Sequence, residues 1–386
     1  MKKEIKNKQE KGITLIALVV TIVVLLILAG VSLSLVIGND GIMKRAKEAK
    51  NRYAEAQTNE EKQLNELANG IDEMETGIKK VDGVPIPERF VYVGGTKASG
   101  LVISDAAADN EKYKGQTTVG TDLQGNQFVW IPVDSIADYK RTAYSAAQVA
   151  SGTTDTATNS EQIKYSSSDS DYFKEALPAD EKTSVETNNG FYIGRYEAGD
   201  QESTNSKKLR ASGASTSNTI TVKAGQAPYN YVTRTQAKSL AEGFSTKRKY
   251  TSVKSKLVSS YAWDTAIAFI QKTNSDYGSS SEEGNYRNSP TFTYTGIEDT
   301  EKNKQTKKNG TSTLIPTGQT TAVNNIYDMG GNVWEWTTES YSRTGFPYTF
   351  RGGGYDNDFA DTPAGGRIVR PDLAFDGIGF RLTLFL

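Results

Sequence analysis

Cysteine and histidine are both missing from this chain of 386 residues. The absence of cysteine excludes disulfides, thiolate metal sites, a cysteine nucleophile and a lipid-modified cysteine anchor. The absence of histidine removes the most common general base and the most common transition-metal ligand. A serine–histidine triad, a zinc hydrolase and a facial-triad iron enzyme are therefore impossible in this chain alone.

An excess of charge is also missing, because 45 basic and 46 acidic residues leave a net charge of −1. No polybasic run marks a nucleic-acid face, so we expect neither DNA nor RNA as a partner. Hydrophobic residues make up 36% of the chain and charged residues 24%, so most of it can fold as a globule. The length is typical of two or three domains.

Charge is absent altogether from residues 13 to 39, and residues 13–37 are strongly apolar. As a helix, this stretch would be about 37 Å long at ~1.5 Å per residue. That length crosses a hydrocarbon core of roughly 30 Å. Because lipid offers the backbone no hydrogen-bond partner, we predict a transmembrane or filament helix over residues 13–37, with a buried core helix as the alternative.

A basic leader of five lysines and two glutamates, ending in Gly12, precedes this stretch. The sequence KGITLIALVVTIVVLLILAG resembles the class III leader of type IV prepilins. The resemblance implies a leader over residues 1–12, cleavage by a prepilin peptidase after Gly12, methylation of the new terminus Ile13, and pilin or pseudopilin subunits as partners. It also places the chain after residue 40 outside the cell. Ala17 stands where that family usually has glutamate, which favours a minor or tip subunit; a plain signal anchor is the alternative.

Residues 38–80 are predicted to form an amphipathic stalk helix. Its apolar or small residues recur at spacings of three and four, which is typical of one helical face. The spacing is irregular once, between Ala56 and Leu64. A solvated coiled-coil spacer is the alternative. We expect Gly83, Pro85 and Pro87 to end the helix and open a linker. The apolar face consists of Ile42, Ala46, Ala49, Tyr53, Ala56, Leu64, Leu67, Ile71 and Met74.

The remaining residues, 81–386, are predicted to form one large domain. Residues 128–133 and 190–197 have the composition of strands, and helices are expected to open near Val232 and Leu257. Ser259 or Ser260 is the expected N-cap of the second helix. Segments at about 134–189 and 276–321 are rich in Ser, Thr, Asp, Asn and Lys, so we expect surface insertions there.

Three motifs follow in a fixed order: GNVWEW at 331–336, RGGG at 351–354 and GFRL at 379–382. This order resembles the formylglycine-generating-enzyme, or sulfatase-modifying-factor, family over roughly residues 125–386. The resemblance implies a C-type-lectin-like fold. The predicted fold class is therefore α+β, with a long pilin-like amino-terminal α-helix followed by a C-type-lectin-like domain.

We expect the motif residues to hold the fold together rather than to form a reaction centre. The two tryptophans alternate around Glu335, so one strand can bury both indoles on one face and direct Glu335 to the other. Glycine after the arginine allows backbone conformations that other residues avoid. The two arginines are expected to pair with buried acids or carbonyls. The expected scaffold residues are Trp334, Trp336, Arg351, Gly352 and Arg381.

The resemblance also bears on cofactors. Enzymes of that family use a cysteine pair with copper, and a related branch uses iron held by histidines, but this chain has neither residue type. We therefore expect no catalysis and no required cofactor. Family members also bind calcium near the NVWEW turn, which here would use Asn332, the Val333 carbonyl and Glu335 as oxygen ligands. The alternative is that Asn332 caps the turn and Glu335 pairs with an arginine.

The segment after RGGG is the predicted ligand-binding loop, because recognition usually lies in loops held on a scaffold. It mixes aromatic, acidic and arginine side chains, as binding surfaces do. It is similar in position to the diversified segment of variable proteins from diversity-generating retroelements; an ordinary polar loop is the alternative. The predicted residues are Tyr355, Asp356, Asn357, Asp358, Phe359, Arg370, Asp372, Phe375 and Asp376.

Together these features predict a binding protein at the cell membrane and extracellular surface, assembled in a pilus or standing alone. The expected function is that of an adhesin or receptor-binding minor pilin with an unknown protein or glycan ligand. One alternative is a structural type IV pilus or pseudopilus subunit without ligand specificity. A third is a degenerate enzyme that scaffolds an active partner.

Overall fold

A computed structural model describes residues 15–37, 42–145, 148, 150–151, 162–200, 219–279, 282–296 and 304–386. Gly12 and Ile13, the predicted leader cleavage and methylation positions, lie outside the described residues. The chain divides into two compact units, residues 1–68 and residues 69–386. Each unit is described separately below.

The described residues form five α-helices, two short 3-10 helices and twenty strands. The α-helices are α1 Leu15–Ile37, α2 Ile42–Thr76, α3 Ala179–Asn188, α4 Arg234–Arg248 and α5 Ser260–Ile270. The strands are β1 Lys80–Val81, β2 Val84–Pro85, β3 Val91–Gly94, β4 Val102–Ser104, β5 Gln127–Pro132, β6 Ala150–Ser151, β7 Gln162–Lys164, β8 Tyr172–Lys174, β9 Gly190–Gly194, β10 Gly199–Asp200, β11 Ile220–Thr221, β12 Ala227–Pro228, β13 Lys254–Leu257, β14 Phe292–Thr295, β15 Lys304–Lys307, β16 Trp334–Tyr341, β17 Tyr348–Arg351, β18 Arg367–Arg370, β19 Ile378–Phe380 and β20 Leu382–Phe385.

In the first unit, α1 exposes its apolar side chains from Leu15 to Val31 and at Val36. The window Leu15–Ser32 has a mean hydropathy of 3.1 and is long and apolar enough to cross a membrane. A signal sequence near an amino terminus meets the same criteria of length and composition. The predicted helix over residues 13–37 is confirmed as a helix for residues 15–37.

Helix α2 ends earlier than the sequence suggests. Gly77 adopts a φ of +70°, and its amide donates to the Glu73 carbonyl at 2.8 Å, so the helix stops at Thr76. The expected linker at residues 83–87 is wrong, because Gly83, with a φ of +72°, makes the turn of a β1–β2 hairpin. Residues 84–87 are buried in the domain core.

The second unit is built on an antiparallel sheet of six strands in the order β13–β20–β9–β5–β4–β3. Alternate side chains of β5 enter two separate apolar clusters: Phe128 and Trp130 pack in one, Val129 and Ile131 in the other. Both faces of the sheet are therefore buried. Helix α4 contributes side chains to the first cluster and α5 to the second, so the sheet lies between the two helices.

The predicted elements around this sheet are confirmed. The strands at 128–133 and 190–197 correspond to β5 and β9. Helix α4 begins with a capping box in which Thr233 and Gln236 satisfy each other's backbone amides. Helix α5 begins after Ser259, whose hydroxyl accepts from the Ala262 amide at 3.1 Å.

A second sheet has the order β18–β17–β16–β8–β7–β6, and β19 pairs with β16 in addition. Three of its strands come from the segment predicted as a surface insertion at 134–189. That segment and the one at 276–321 contribute buried side chains that include Tyr139, Arg141, Phe173, Tyr286 and Ile315. The prediction of surface insertions is wrong for these residues, because their aromatic and charged side chains have partners in the core.

Candidate functional site

The base of the predicted ligand-binding loop is set by β16. This strand pairs antiparallel with β17, where the loop begins, and parallel with β19, where it ends. The Trp334 amide donates to the Gly377 carbonyl at 2.8 Å, and the Tyr355 amide donates to the Asn332 carbonyl at 2.9 Å. Both ends of the loop are thus tied to the GNVWEW motif.

The alternation predicted around Glu335 is confirmed. Trp334 and Trp336 both pack edge-on against Phe350, with ring centroids 4.8 and 5.2 Å away. Glu335 is fully buried and accepts from the Arg381 guanidinium at 3.0 and 2.7 Å. Two charge-assisted bonds in a fork geometry hold the GFRL strand against the GNVWEW strand.

A buried network of five charged side chains includes Arg351, just before the loop, and Arg367, within it. Arg351 and Arg367 both pair with Asp264, and Arg367 and Arg141 both pair with Glu339. All five residues are at most 2% exposed. Burial alone would raise the pKa of Glu339, but the two neighbouring guanidiniums overcome it and lower the pKa to about 2. The predicted pairing of Arg351 with a buried acid is confirmed.

The glycines after Arg351 allow a close approach of two backbones. Gly352 has a φ of +97°, and its carbonyl accepts from the Tyr286 hydroxyl and the Gly331 amide, both at 2.8 Å. Gly353 has a φ of +75°, and a Cβ there would lie 2.2 Å from the Thr362 carbonyl oxygen. Only glycine fits this turn.

The first group of predicted loop residues lies beside the GNVWEW motif. The Trp334 indole donates to Asn357 Oδ1 at 2.8 Å. The half-buried Tyr355 donates its hydroxyl to Asp376 Oδ2 at 3.0 Å. Asp356, which lies between Tyr355 and Asn357 in the sequence, is exposed.

A second group faces residues 286–288. Asp358 accepts two hydrogen bonds from Arg287, at 3.0 and 2.6 Å. The Phe359 ring packs edge-on against Tyr286 with centroids 6.2 Å apart, and its amide donates to Asn288 Oδ1. These two loop residues are engaged within the protein.

The third group lies near the start of α4. Asp372 accepts from the Thr235 hydroxyl at 2.6 Å, and the Arg370 guanidinium lies 5.9 Å from the Phe350 ring centroid. Phe375 is 43% exposed, as is the neighbouring Leu373 at 46%. The structure therefore spreads the nine predicted residues over one surface in three groups and does not gather them into a single pocket.

A cavity of about 180 Å³ adjoins this surface. Its lining includes Tyr144, Tyr165, Trp334, Thr362 and Ile368. The two tyrosines were missed, because they lie in the polar segment predicted as an insertion. Aromatic residues in an otherwise polar segment were the available signal. A larger cleft of about 940 Å³, between residues 86–90 and α3, includes no residue of the predicted loop.

The predicted calcium ligands do not fit a metal site. Both Glu335 oxygens accept from Arg381, and Asn332 Oδ1 accepts from the Ile315 amide and the Asn285 side chain. Within the part of the chain that the structure describes, no group of three or more acidic side chains is arranged so that it could hold a metal ion. Asn332 and Glu335 instead take the alternative roles considered above, in a turn and in an arginine pair.

Removing calcium is therefore expected to leave the stability of the chain unchanged. A chelator should shift the midpoint of thermal unfolding by less than about 2 °C, since a ligand stabilises only the state that binds it. The measurement is differential scanning calorimetry with millimolar calcium or with a chelator. A drop of several degrees on chelation would show that a cation site exists after all.

This chain belongs to the family of sulfatase-modifying factor enzyme 1-like domains, which its residues 149–384 match. The match spans the second sheet, both helices of the core and all three motifs. None of the curated proteins matches the chain.

Several solved structures are similar. PvdO from Pseudomonas aeruginosa is 17% identical, covers 70% of this chain and 98% of its own, and has a TM-score of 0.36. The variable protein 1 of Treponema denticola is 14% identical with the same coverage and a TM-score of 0.30. CarF is 18% identical, covers 51% of this chain and 87% of its own, and has a TM-score of 0.34. At such TM-scores these likenesses carry no argument about function.

Proposed function

We propose that this chain is a surface-displayed, non-catalytic binding protein that presents the surface of residues 355–376 to a protein or glycan ligand. One observation carries the proposal: both ends of this loop are strands paired with β16, while Asp356, Leu373 and Phe375 remain exposed. A loop whose two ends are fixed by strand pairing, and whose aromatic and acidic side chains are exposed, is a common arrangement for binding.

The chemistry of the chain supports a binding role over catalysis. The redox and iron chemistry implied by the family resemblance needs cysteine or histidine side chains, and the chain supplies neither. The exported, membrane-anchored or pilus-assembled location is supported by the prepilin-like leader, with Gly12 and Ile13 at its cleavage site, and by the exposed apolar helix α1. No cofactor is required for this role.

The binding surface is tested with the full-length protein in detergent, probed on glycan and protein arrays. For any ligand found, the double variant Asp356→Ala, Phe375→Ala is expected to weaken binding at least about tenfold, roughly 1.4 kcal/mol. The matched control is Phe346→Ala, which removes another exposed aromatic outside the loop, 39% exposed. If the wild type, the double variant and Phe346→Ala bind the ligand with equal affinity, the surface of residues 355–376 is not the binding site.

The loop is also proposed to be a target of retroelement-directed diversification. Genomic sequence tests this directly. A neighbouring near-repeat of the segment encoding residues 355–376, differing only at adenines, is the expected finding, and its absence removes the proposal without affecting the binding role.

A further inference from the structure

Two adjoining clefts in the second unit lie outside the proposed binding surface. The first has a volume of about 610 Å³, and its lining includes residues 273–275 and 321–325. The second has a volume of about 690 Å³, and its lining includes residues 289–293, which lead into β14. Glu283 and Thr321 line both clefts, so the two are neighbours, and we call them together the polar groove.

One wall of the polar groove is a two-residue turn formed by Asn324 and Asn325. The residues on either side of the turn exchange both backbone hydrogen bonds, at 3.1 and 2.9 Å. Both asparagines have a positive φ, +50° and +62°, as a type I′ hairpin turn requires. The Asn325 amide group donates to the Gly100 and Thr117 carbonyls at 2.8 and 2.9 Å. Its oxygen accepts from the Val119 amide at 2.9 Å, so this wall is fixed by contacts within the protein.

Asn324 differs from its neighbour because its side-chain oxygen is left over. The residue is only 8% exposed, and among the described residues its Oδ1 has no hydrogen-bond partner. Its amide group reaches the Ala98 carbonyl at 3.5 Å. A buried acceptor without a donor is unfavourable. Because Asn324 lines the first cleft, a hydroxyl group bound there can supply the missing donor.

The lining of the polar groove matches a neutral ligand rich in hydroxyl groups. Most of the lining side chains carry hydroxyl or carboxamide groups, which both donate and accept hydrogen bonds. Among the described residues that line it, the charged ones are Glu282 and Glu283, and none is basic. Two carboxylates without a basic side chain beside them in the lining disfavour a phosphate or an acidic sugar. The half-buried Phe292 adds an aromatic ring to the second cleft.

We propose that the polar groove binds a neutral oligosaccharide. A sugar unit carries hydroxyl groups that donate and accept, and a face of C–H groups that packs against an aromatic ring. In the first cleft a sugar hydroxyl donates to Asn324 Oδ1, and in the second a sugar ring packs against Phe292. Each cleft has the volume of an ordinary small-ligand site, so the pair suits a chain of two or more sugar units. This site is separate from the surface of residues 355–376 and does not rest on the function proposed for it.

Ligand-observed NMR titration of the full-length protein tests the proposal. The detergent must lack a sugar headgroup, so that it does not compete for the groove. The probes are neutral trisaccharides of glucose, galactose, mannose and N-acetylglucosamine, with sialyllactose as the acidic probe. At least one neutral trisaccharide is expected to bind with a Kd below about 10 mM. Sialyllactose is expected to bind at least about fivefold more weakly than that trisaccharide. A protein that binds none of the neutral probes, or that prefers sialyllactose, overturns the proposal.

Two pairs of variants locate the site. Asn324→Gly removes the acceptor but keeps the turn, because glycine adopts a positive φ freely. It should weaken trisaccharide binding at least about tenfold, whereas Asn324→Asp, which keeps an acceptor, should stay within about threefold of the wild type. Phe292→Ala should weaken binding at least about fivefold, and Phe292→Tyr, which keeps the ring, should not. An unchanged midpoint of thermal unfolding confirms that each variant is folded.

The loop variant Asp356→Ala with Phe375→Ala separates this inference from the proposed function. It should bind the trisaccharide as tightly as the wild type does. Loss of trisaccharide binding in this variant would place the sugar on the loop and overturn the inference. Equal affinities of the wild type, Asn324→Gly and Phe292→Ala would also overturn it, since the acceptor of Asn324 would then hold only water. A ligand of the loop surface should bind Asn324→Gly normally, so failure of one proposal is distinguishable from failure of the other.

Discussion

Glu339→Gln is expected to lower the free energy of unfolding by about 3–5 kcal/mol, since breaking a buried ion pair strands its partner. Glu339 is fully buried and pairs with both Arg141 and Arg367. Glutamine keeps the shape of the side chain but removes the negative charge that pairs with Arg141 and one of the two negative charges that pair with Arg367. Urea unfolding followed by tryptophan fluorescence measures the loss, with Phe346→Ala as a surface control expected within ±0.5 kcal/mol.

The same variant tests the pH dependence. The folded pKa of Glu339 is lowered from 4.5 to about 2, so its stabilisation is present above pH 4.5 and disappears as the pH falls towards 2. The difference between wild type and Glu339→Gln should therefore shrink between pH 5 and pH 2. A difference that stays constant over this range would show that Glu339 is not ionised in the fold.

Glu175 provides a matched carboxylate with the opposite behaviour. Burial raises its pKa to about 7, and the nearby Glu339 carboxylate adds to this. A raised folded pKa means that stability is lost as the pH rises from 4.5 to 7. Glu175→Gln keeps one acceptor for the Ser260 amide or the Thr338 hydroxyl and should stay within about 1 kcal/mol of wild type. The free energy of unfolding of Glu175→Gln should rise relative to that of the wild type between pH 5 and pH 8.

Trp336→Ala is the second change with a large expected effect, about 3–5 kcal/mol. The Trp336 side chain is fully buried, packs on Phe350, and donates its indole N–H to the Val232 carbonyl at 2.9 Å. Alanine leaves a cavity between the second sheet and the start of α4. The loss appears as a lower denaturation midpoint with an unchanged m-value.

Trp336→Phe separates packing from hydrogen bonding. Phenylalanine retains most of the apolar contact with Phe350 but leaves the Val232 carbonyl without its donor, so about 1–3 kcal/mol is expected. If both variants cost the same, packing is not what Trp336 contributes. If neither costs more than about 1 kcal/mol, the site relaxes around the change.

Local pattern was sufficient for the elements that depend on neighbours in sequence. The uncharged run predicts α1, the serine before an apolar segment predicts the start of α5, and the alternation of Trp334, Glu335 and Trp336 predicts a strand with two different faces. The pairing of Arg381 with an acid was also predictable, because a buried guanidinium in an apolar strand needs a neutralising partner.

The rest depends on contacts between distant residues. Arg141 meets Glu339 across 198 positions, and Arg351 meets Asp264 across 87. Nothing local distinguishes Arg141, in a polar stretch, from a solvated surface arginine. The end of α2 was predicted too late for a related reason. Gly77 and Gly83 carry the same turn signal in the sequence. Only the packing of residues 84–87 in the core shows that the helix ends before Gly77.

Strand β20, residues 382–385, lies between β13 and β9 inside the six-stranded sheet. During synthesis, β3, β4, β5 and β9 are made long before β20, yet the position between β9 and β13 stays open until these late residues emerge. The sheet therefore cannot close co-translationally from its amino-terminal side. Until residues 382–385 are present, β9 and β13 have no strand to join them, so the six-stranded sheet is incomplete.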